Sequence, residues 1–100
     1  VSTYVLQIGS EFADDAEAAA RWYEAQQPGL GKAFTDSVEL ALEGILHDPL
    51  LLPLVYKHYH RKIVRRFPYM VLYKVEVATI YVVACMHMRR NPRSWRKRLV

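Results

Sequence analysis

The apolar residues of this chain change their spacing once, across residues 49–53, and that change constrains the fold more than any other feature. Before it, Phe12, Ala16, Ala19, Ala20 and Tyr23 recur at i, i+4, i+7, i+8 and i+11, and Phe34, Val38, Ala41, Leu42 and Ile45 repeat the same template. Each set traces one face of an α-helix. Ser10 is the expected N-cap of the first helix, with Glu11, Asp14 and Asp15 placing negative charge where the helix dipole favours it. Pro28-Gly29-Leu30-Gly31 breaks the pattern and Asp48-Pro49 closes the second helix, so the two form a helical hairpin. Ahead of them, Tyr4, Leu6 and Ile8 alternate with Thr3, Val5 and Gln7 as in a short strand.

Beyond Pro53 the period is two. Tyr59, Arg61, Ile63, Arg65 and Phe67 share one face of an extended segment, with His58, His60, Lys62, Val64 and Arg66 on the other and a turn expected near His60. After Pro68, residues 70–75 and 79–87 are β-branched and aromatic runs joined through residues 76–78, the pattern of an antiparallel hairpin with both strands central. Asn91-Pro92 ends regular pairing. The expected fold is α+β: an N-terminal strand and a two-helix hairpin packed on a mostly antiparallel sheet of about four strands, in one domain spanning residues 1–100.

A hydrophobic fraction of 52% excludes a solvated, disordered chain. No apolar run approaches the roughly 20 residues of a membrane-spanning helix, and the first residues lack the pattern of a signal peptide, so a cytoplasmic location is expected. The single cysteine, Cys85, sits in an apolar run and is expected to be a buried small hydrophobe.

Charge divides the chain. Residues 1–48 carry two cations and nine acids, a net −7, whereas residues 49–100 carry twelve cations and one acid, a net +11. Eleven of those cations fall in two clusters, Lys57, Arg61, Lys62, Arg65, Arg66 and Arg89, Arg90, Arg93, Arg96, Lys97, Arg98. Arginine dominates both, and its planar fork matches carboxylate or phosphate, so the second half is expected to meet something acidic. The alternative is a solvated strand edge guarded against aggregation. Trp95, among the cations, either stacks on a partner or anchors the tail on its own core. Tyr56, Tyr59 and Tyr81 interleave with the cations, and Tyr69 and Tyr73 are expected in the core.

His58, His60 and His87 are the proton-transfer candidates of the basic half, with a structural role open for each. Cleavage of RNA would need a base, an acid and cations, and only the cations are plainly supplied. His58 and His60 would point the same way on one strand, but no third metal ligand is evident. There is no Gly-rich phosphate loop, no G-x-S-x-G elbow and no H-E-x-x-H helix, so neither cofactor nor metal is expected.

The run Ala20-Arg21-Trp22-Tyr23-Glu24, then Pro28-Gly29-Leu30-Gly31 and Phe34, then Arg66-Phe67-Pro68-Tyr69 with Val71 and Tyr73, and finally His87, Arg90, Pro92, Trp95 and Arg98, closely resembles the RelE/ParE toxin superfamily, in its ParE-like plasmid-stabilisation branch. The resemblance spans nearly the whole chain. It implies a toxin that inhibits DNA gyrase and is neutralised by a cognate antitoxin, whose flexible segment wraps the toxin beside the helical hairpin and the sheet edge, as part of a homo-oligomer or a toxin–antitoxin hetero-oligomer. On this reading Arg61, Arg65, Arg66, Arg90, Trp95 and Arg98 contact the target. The alternative is a RelE-like endonuclease cutting mRNA on the ribosome, for which Arg61, Arg65, His87 and Arg90 are the catalytic candidates, with Trp95 standing where a C-terminal tyrosine is sought. A third reading is a binding module of the same fold without toxicity.

Overall fold

The structure, a computed structural model, describes residues 3–99. Its elements are β1 (Val5–Ile8), α1 (Ser10–Gln26), α2 (Leu30–His47), β2 (Leu54–Tyr56), β3 (Tyr59–Ile63), β4 (Tyr69–Glu76), β5 (Thr79–His87) and α3 (Pro92–Arg96), followed by a 3-10 turn, Lys97–Leu99. The strands form one sheet in the order β1-β5-β4-β3-β2. The sheet has one strand more than the expected four or so, because the three residues of β2 pair with the start of β3. All neighbours are antiparallel except β1, which runs parallel to β5. Among the described residues no helix is long and apolar enough to cross a membrane.

Both helical templates bury the faces their spacing predicts. Phe12 and Ala19 of α1 meet Phe34, Val38, Ala41 and Ile45 of α2 over Val71, Tyr73, Ile80, Val82 and Cys85 of the sheet. Fully buried Phe34 is the hub, with ring centroids 5.3 Å from Tyr23 and 5.1 Å from both Phe67 and Tyr69. The opposite sheet face has its own apolar layer, in which Trp95 and Leu99 of the C-terminal tail cover Tyr59, Met70, Leu72, Ala84 and Met86. The tail is therefore the third layer of the fold.

The helix starts differ from expectation. Gly9, not Ser10, occupies the N-cap of α1, because its N–H still donates to the Val82 carbonyl at 2.9 Å and holds it extended. In α2 the N-cap is Gly29, at φ +91°, a conformation glycine adopts without steric cost. Neither cap position supplies a side-chain bond. Glu24 of α1 does so instead, its carboxylate accepting the N–H groups of Gly29 and Gly31 at 3.0 Å. Gly31 also lets the two helices touch backbone to backbone, since a Cβ there would lie 2.7 Å from the Ala20 carbonyl oxygen. Glu24→Ala should lower stability by about 1 kcal/mol, the usual worth of an N-cap, and Glu24→Gln by less, as measured by the urea midpoint.

Two corrections concern the strands. The turn expected near His60 falls at Lys57 and His58, and the extended segment stops at Ile63 rather than running to Phe67. His58 and His60 thus do not share a strand. His60 stacks on Tyr73 at 5.1 Å and donates from Nδ1 to the Leu52 carbonyl at 2.8 Å, while the Tyr73 hydroxyl donates to the Pro49 carbonyl at 2.7 Å. Those two bonds tie the 49–53 connection to the sheet. Arg65 and Arg66 lie in the turn that follows β3, Arg66 at φ +72°, and the turn swings Phe67 to the helix-covered face, away from Tyr59.

Candidate functional site

β1 accompanies β5 only from Val5 to Ile8, opposite Thr79 to Val82. Past that point α1 lies beside β5 in place of a strand, and the Asp15 carboxylate accepts the Cys85 N–H at 3.0 Å, satisfying a donor that a neighbouring strand would otherwise take. A bulge in the β4–β5 ladder, where Leu72 faces Ala84 but Tyr73 faces Val82, shifts the alternation by one residue. Cys85 and His87 therefore share the helix-covered face with Ile80 and Val82, and His87 meets Tyr69 edge to face at 5.2 Å.

The result is a groove between α1 and the end of β5. Two cavities, of about 290 and 440 Å³, share Trp22, Tyr69 and His87, with Asp15, Cys85 and Arg90 lining the first and Tyr23 and Pro68 the second. Trp22 is 58% exposed. His87 Nδ1 accepts the Arg89 N–H at 3.0 Å, which leaves the proton of the neutral ring on Nε2 as a free donor. Arg90 donates from Nε to Ser94 Oγ at 3.1 Å and rests Nη1 against Met86 Sδ at 3.2 Å. Among the described residues no carboxylate pairs with Arg90, nor with Arg61, Arg65, Arg66, Arg89 or Arg93. Burial, ahead of the neighbouring Tyr23 and Cys85, holds the Tyr69 phenol above its ordinary pKa, so it is a neutral donor at pH 7.

The residues expected to contact the target fall in different places. Arg61 lies on the tail-covered face of β3, opposite Leu72, and Arg65 borders a separate cleft with Ser37, Leu40, Ala41, Lys62 and Ile63. His87 and Arg90 come together in the groove, but Arg61 is across the sheet from them and Arg65 beyond β4 at the other side of the sheet. Trp95, considered as a target contact, is instead 5% exposed and fills the second core layer, 6.4 Å from Tyr56.

Arg98 is likewise occupied. Its Nη1 holds Asp15 at 3.1–3.2 Å, its Nη2 donates to the Val83 carbonyl at 3.4 Å, and its Nε lies 3.1 Å from Glu11 Oε2 as an ion pair without hydrogen-bond geometry. The C-terminal tail is thus tethered to α1, at the back of the groove. Several interleaved tyrosines also have internal partners: Arg96 and Lys57 sit over Tyr56 at 5.0 and 5.2 Å, and Lys74 over Tyr81 and Tyr59 at 5.6 and 6.0 Å.

Cys85 lines the groove as a buried free thiol. Burial first, and the Asp15 carboxylate second, push its thiol from 9.0 up to about 12. The thiol form is favoured in the fold, so native protein at pH 8 is expected to resist iodoacetamide for as long as denatured protein needs to react fully. The sign of the linkage follows: the unfolded chain loses this proton first, so Cys85 makes stability fall as pH rises from about 9 to about 12.

Reading the sequence by itself singles out His87 and Arg90 but not the rest of the groove. Trp22 enters there only through a family motif, although its position off the 12-16-19-20-23 stripe marks a tryptophan that the helix does not bury.

The ParE toxin of type II toxin–antitoxin system, parDE, is the family whose sequence model matches, over residues 6–92. Among solved structures the chain is similar to one from the chromosomal ParDE TA system from P. aeruginosa, with a TM-score of 0.77 and 12% identity over 85% of this chain and 96% of that one. That likeness concerns the fold. No curated protein matches the chain. Trp95 and Arg98 lie beyond the matched residues, so their roles here are read from the structure alone.

Proposed function

We propose, because this chain belongs to the ParE toxin family of type II toxin–antitoxin systems, that it inhibits DNA gyrase in the cytoplasm and is held inactive by a cognate antitoxin. The observation that carries the mode of action is the separation of Arg61 from His87 by the sheet, with Arg65 elsewhere again. Cleavage of RNA needs base, acid and cations within reach of one phosphate. A toxin that works by contact needs only an accessible, chemically distinct surface, and Arg90 in the groove, with exposed Arg89 and Arg93 close to it in sequence and none of the three paired with a carboxylate among the described residues, supplies one.

The antitoxin is assigned to other surfaces. On the outside of the hairpin, Phe12, Ala16, Ala20, Phe34, Val38 and Leu42 line an apolar cleft of about 340 Å³, suited to an amphipathic helix. The outer edge of β1, with Val5 and Ile8 exposed, suits an added strand. Residues 1–100 act as one domain in this account.

Induced expression without antitoxin tests the proposal. DNA breaks and stalled replication with intact mRNA are expected. Codon-phased mRNA cuts would replace gyrase by the ribosome as target, and harmless expression would leave a binding module.

A further inference from the structure

We infer that the groove between α1 and the end of β5 receives a segment of a partner protein that presents a bulky apolar or aromatic side chain next to a carboxylate. Trp22, Tyr69 and His87 give it three aromatic walls, and the fold leaves Trp22 58% exposed. Tryptophan, tyrosine and arginine around a recess are the composition that concentrates binding energy at protein interfaces. Arg90, free of any acidic partner among the described residues, and the Nε2 proton of His87 face the same space and call for one anionic acceptor.

The charge of the lining decides what kind of molecule enters. Arg90, after β5, and Asp15, on α1, are the Arg and Asp side chains that line the groove. Arg98 engages Asp15, whereas Arg90 has no acidic partner among the described residues. A nucleic acid, with a phosphate at every residue, would bring more anions than a lining with Arg90 and Asp15 can match. A peptide with one carboxylate over Arg90 and an apolar side chain between Trp22 and Tyr69 would not. The groove is also distinct from the cleft assigned to the antitoxin, which uses Phe12, Ala16 and Ala20 on another side of α1. The inference deepens the reading of the chain as one that acts by binding a protein, and locates the contact.

Its test is a random peptide display library panned on the folded chain and, as a control, on a Trp22→Ala/Arg90→Ala double variant. Both positions are exposed, so unchanged thermal unfolding is expected and is checked first. The expected winners carry Asp or Glu beside Phe, Tyr, Trp or Leu, and lose about tenfold or more in affinity to either single variant, while Trp22→Phe keeps most of the binding. Winners without an acid, equal enrichment on the double variant, or oligo(dT) or oligo(U) binding that quenches Trp22 fluorescence and vanishes in Arg90→Ala would each overturn it. Growth arrest on induction is scored separately. A harmless wild-type chain with Trp22-dependent peptides removes the gyrase reading and leaves the groove standing, and arrest without such peptides does the reverse.

Discussion

Replacing Trp95 with alanine is expected to lower the unfolding free energy by about 3–5 kcal/mol, the range for truncating a large buried aromatic. For a domain whose total stability is about 5–15 kcal/mol, that is a large share. The cost arises because Trp95 closes the layer over Met70, Leu72, Ala84 and Met86 together with Leu99, a face that is otherwise left to water. Loss of the ring also frees the tail that carries Arg98 to Asp15. Urea unfolding followed by circular dichroism measures it, and Trp95→Phe should recover more than half the loss. A Trp95→Ala protein within 1 kcal/mol of wild type would mean that the tail does not belong to the core, whatever its sequence resembles.

Changing Arg89, Arg90 and Arg93 together to glutamate should leave the fold intact and weaken association with gyrase by on the order of 100-fold at low salt, through loss of both steering and contact. These side chains are exposed and make no ion pair among the described residues, so the stability lost is limited to the Arg90 contacts with Ser94 and Met86. Arg98→Ala provides the contrast. Its guanidinium and the Asp15 carboxylate are each 20% exposed, between the surface pairs that contribute little and the buried pairs whose rupture costs several kcal/mol. A loss of about 2 kcal/mol of stability is expected there, with any loss of action following from the fold. Surface plasmon resonance against immobilised gyrase, run beside thermal melts, separates the two classes.

Much of the fold was legible because the apolar pattern is strong where it is local. The 12-16-19-20-23 and 34-38-41-42-45 stripes predicted both helical faces, and residues 70–75 and 79–87 predicted the central hairpin. What failed was non-local. β2 is three residues long and exists only because β3 offers it an edge. Gly9 displaced Ser10 as N-cap because a hydrogen bond to Val82, distant in sequence, reaches one residue past β1.

The site was legible in part for the same reason. Strict alternation groups His87 with Tyr81, on the face away from the helices, and the bulge opposite Leu72 and Tyr73 moves it into the groove. Composition marked the arginines as the candidate chemistry of the second half, yet it could not tell Arg98, held by Asp15, from Arg90, held by no acid among the described residues. Only the packing of the tail against α1 separates them.

The claim that this toxin acts by binding gyrase is tested most directly with purified components. The chain is titrated into gyrase supercoiling relaxed plasmid with ATP, and in parallel into ribosomes translating a defined mRNA. Inhibition of supercoiling that is lost on changing Arg89, Arg90 and Arg93 to glutamate, with the mRNA left whole, is the predicted result. Undisturbed supercoiling with mRNA cut at the ribosome would contradict it.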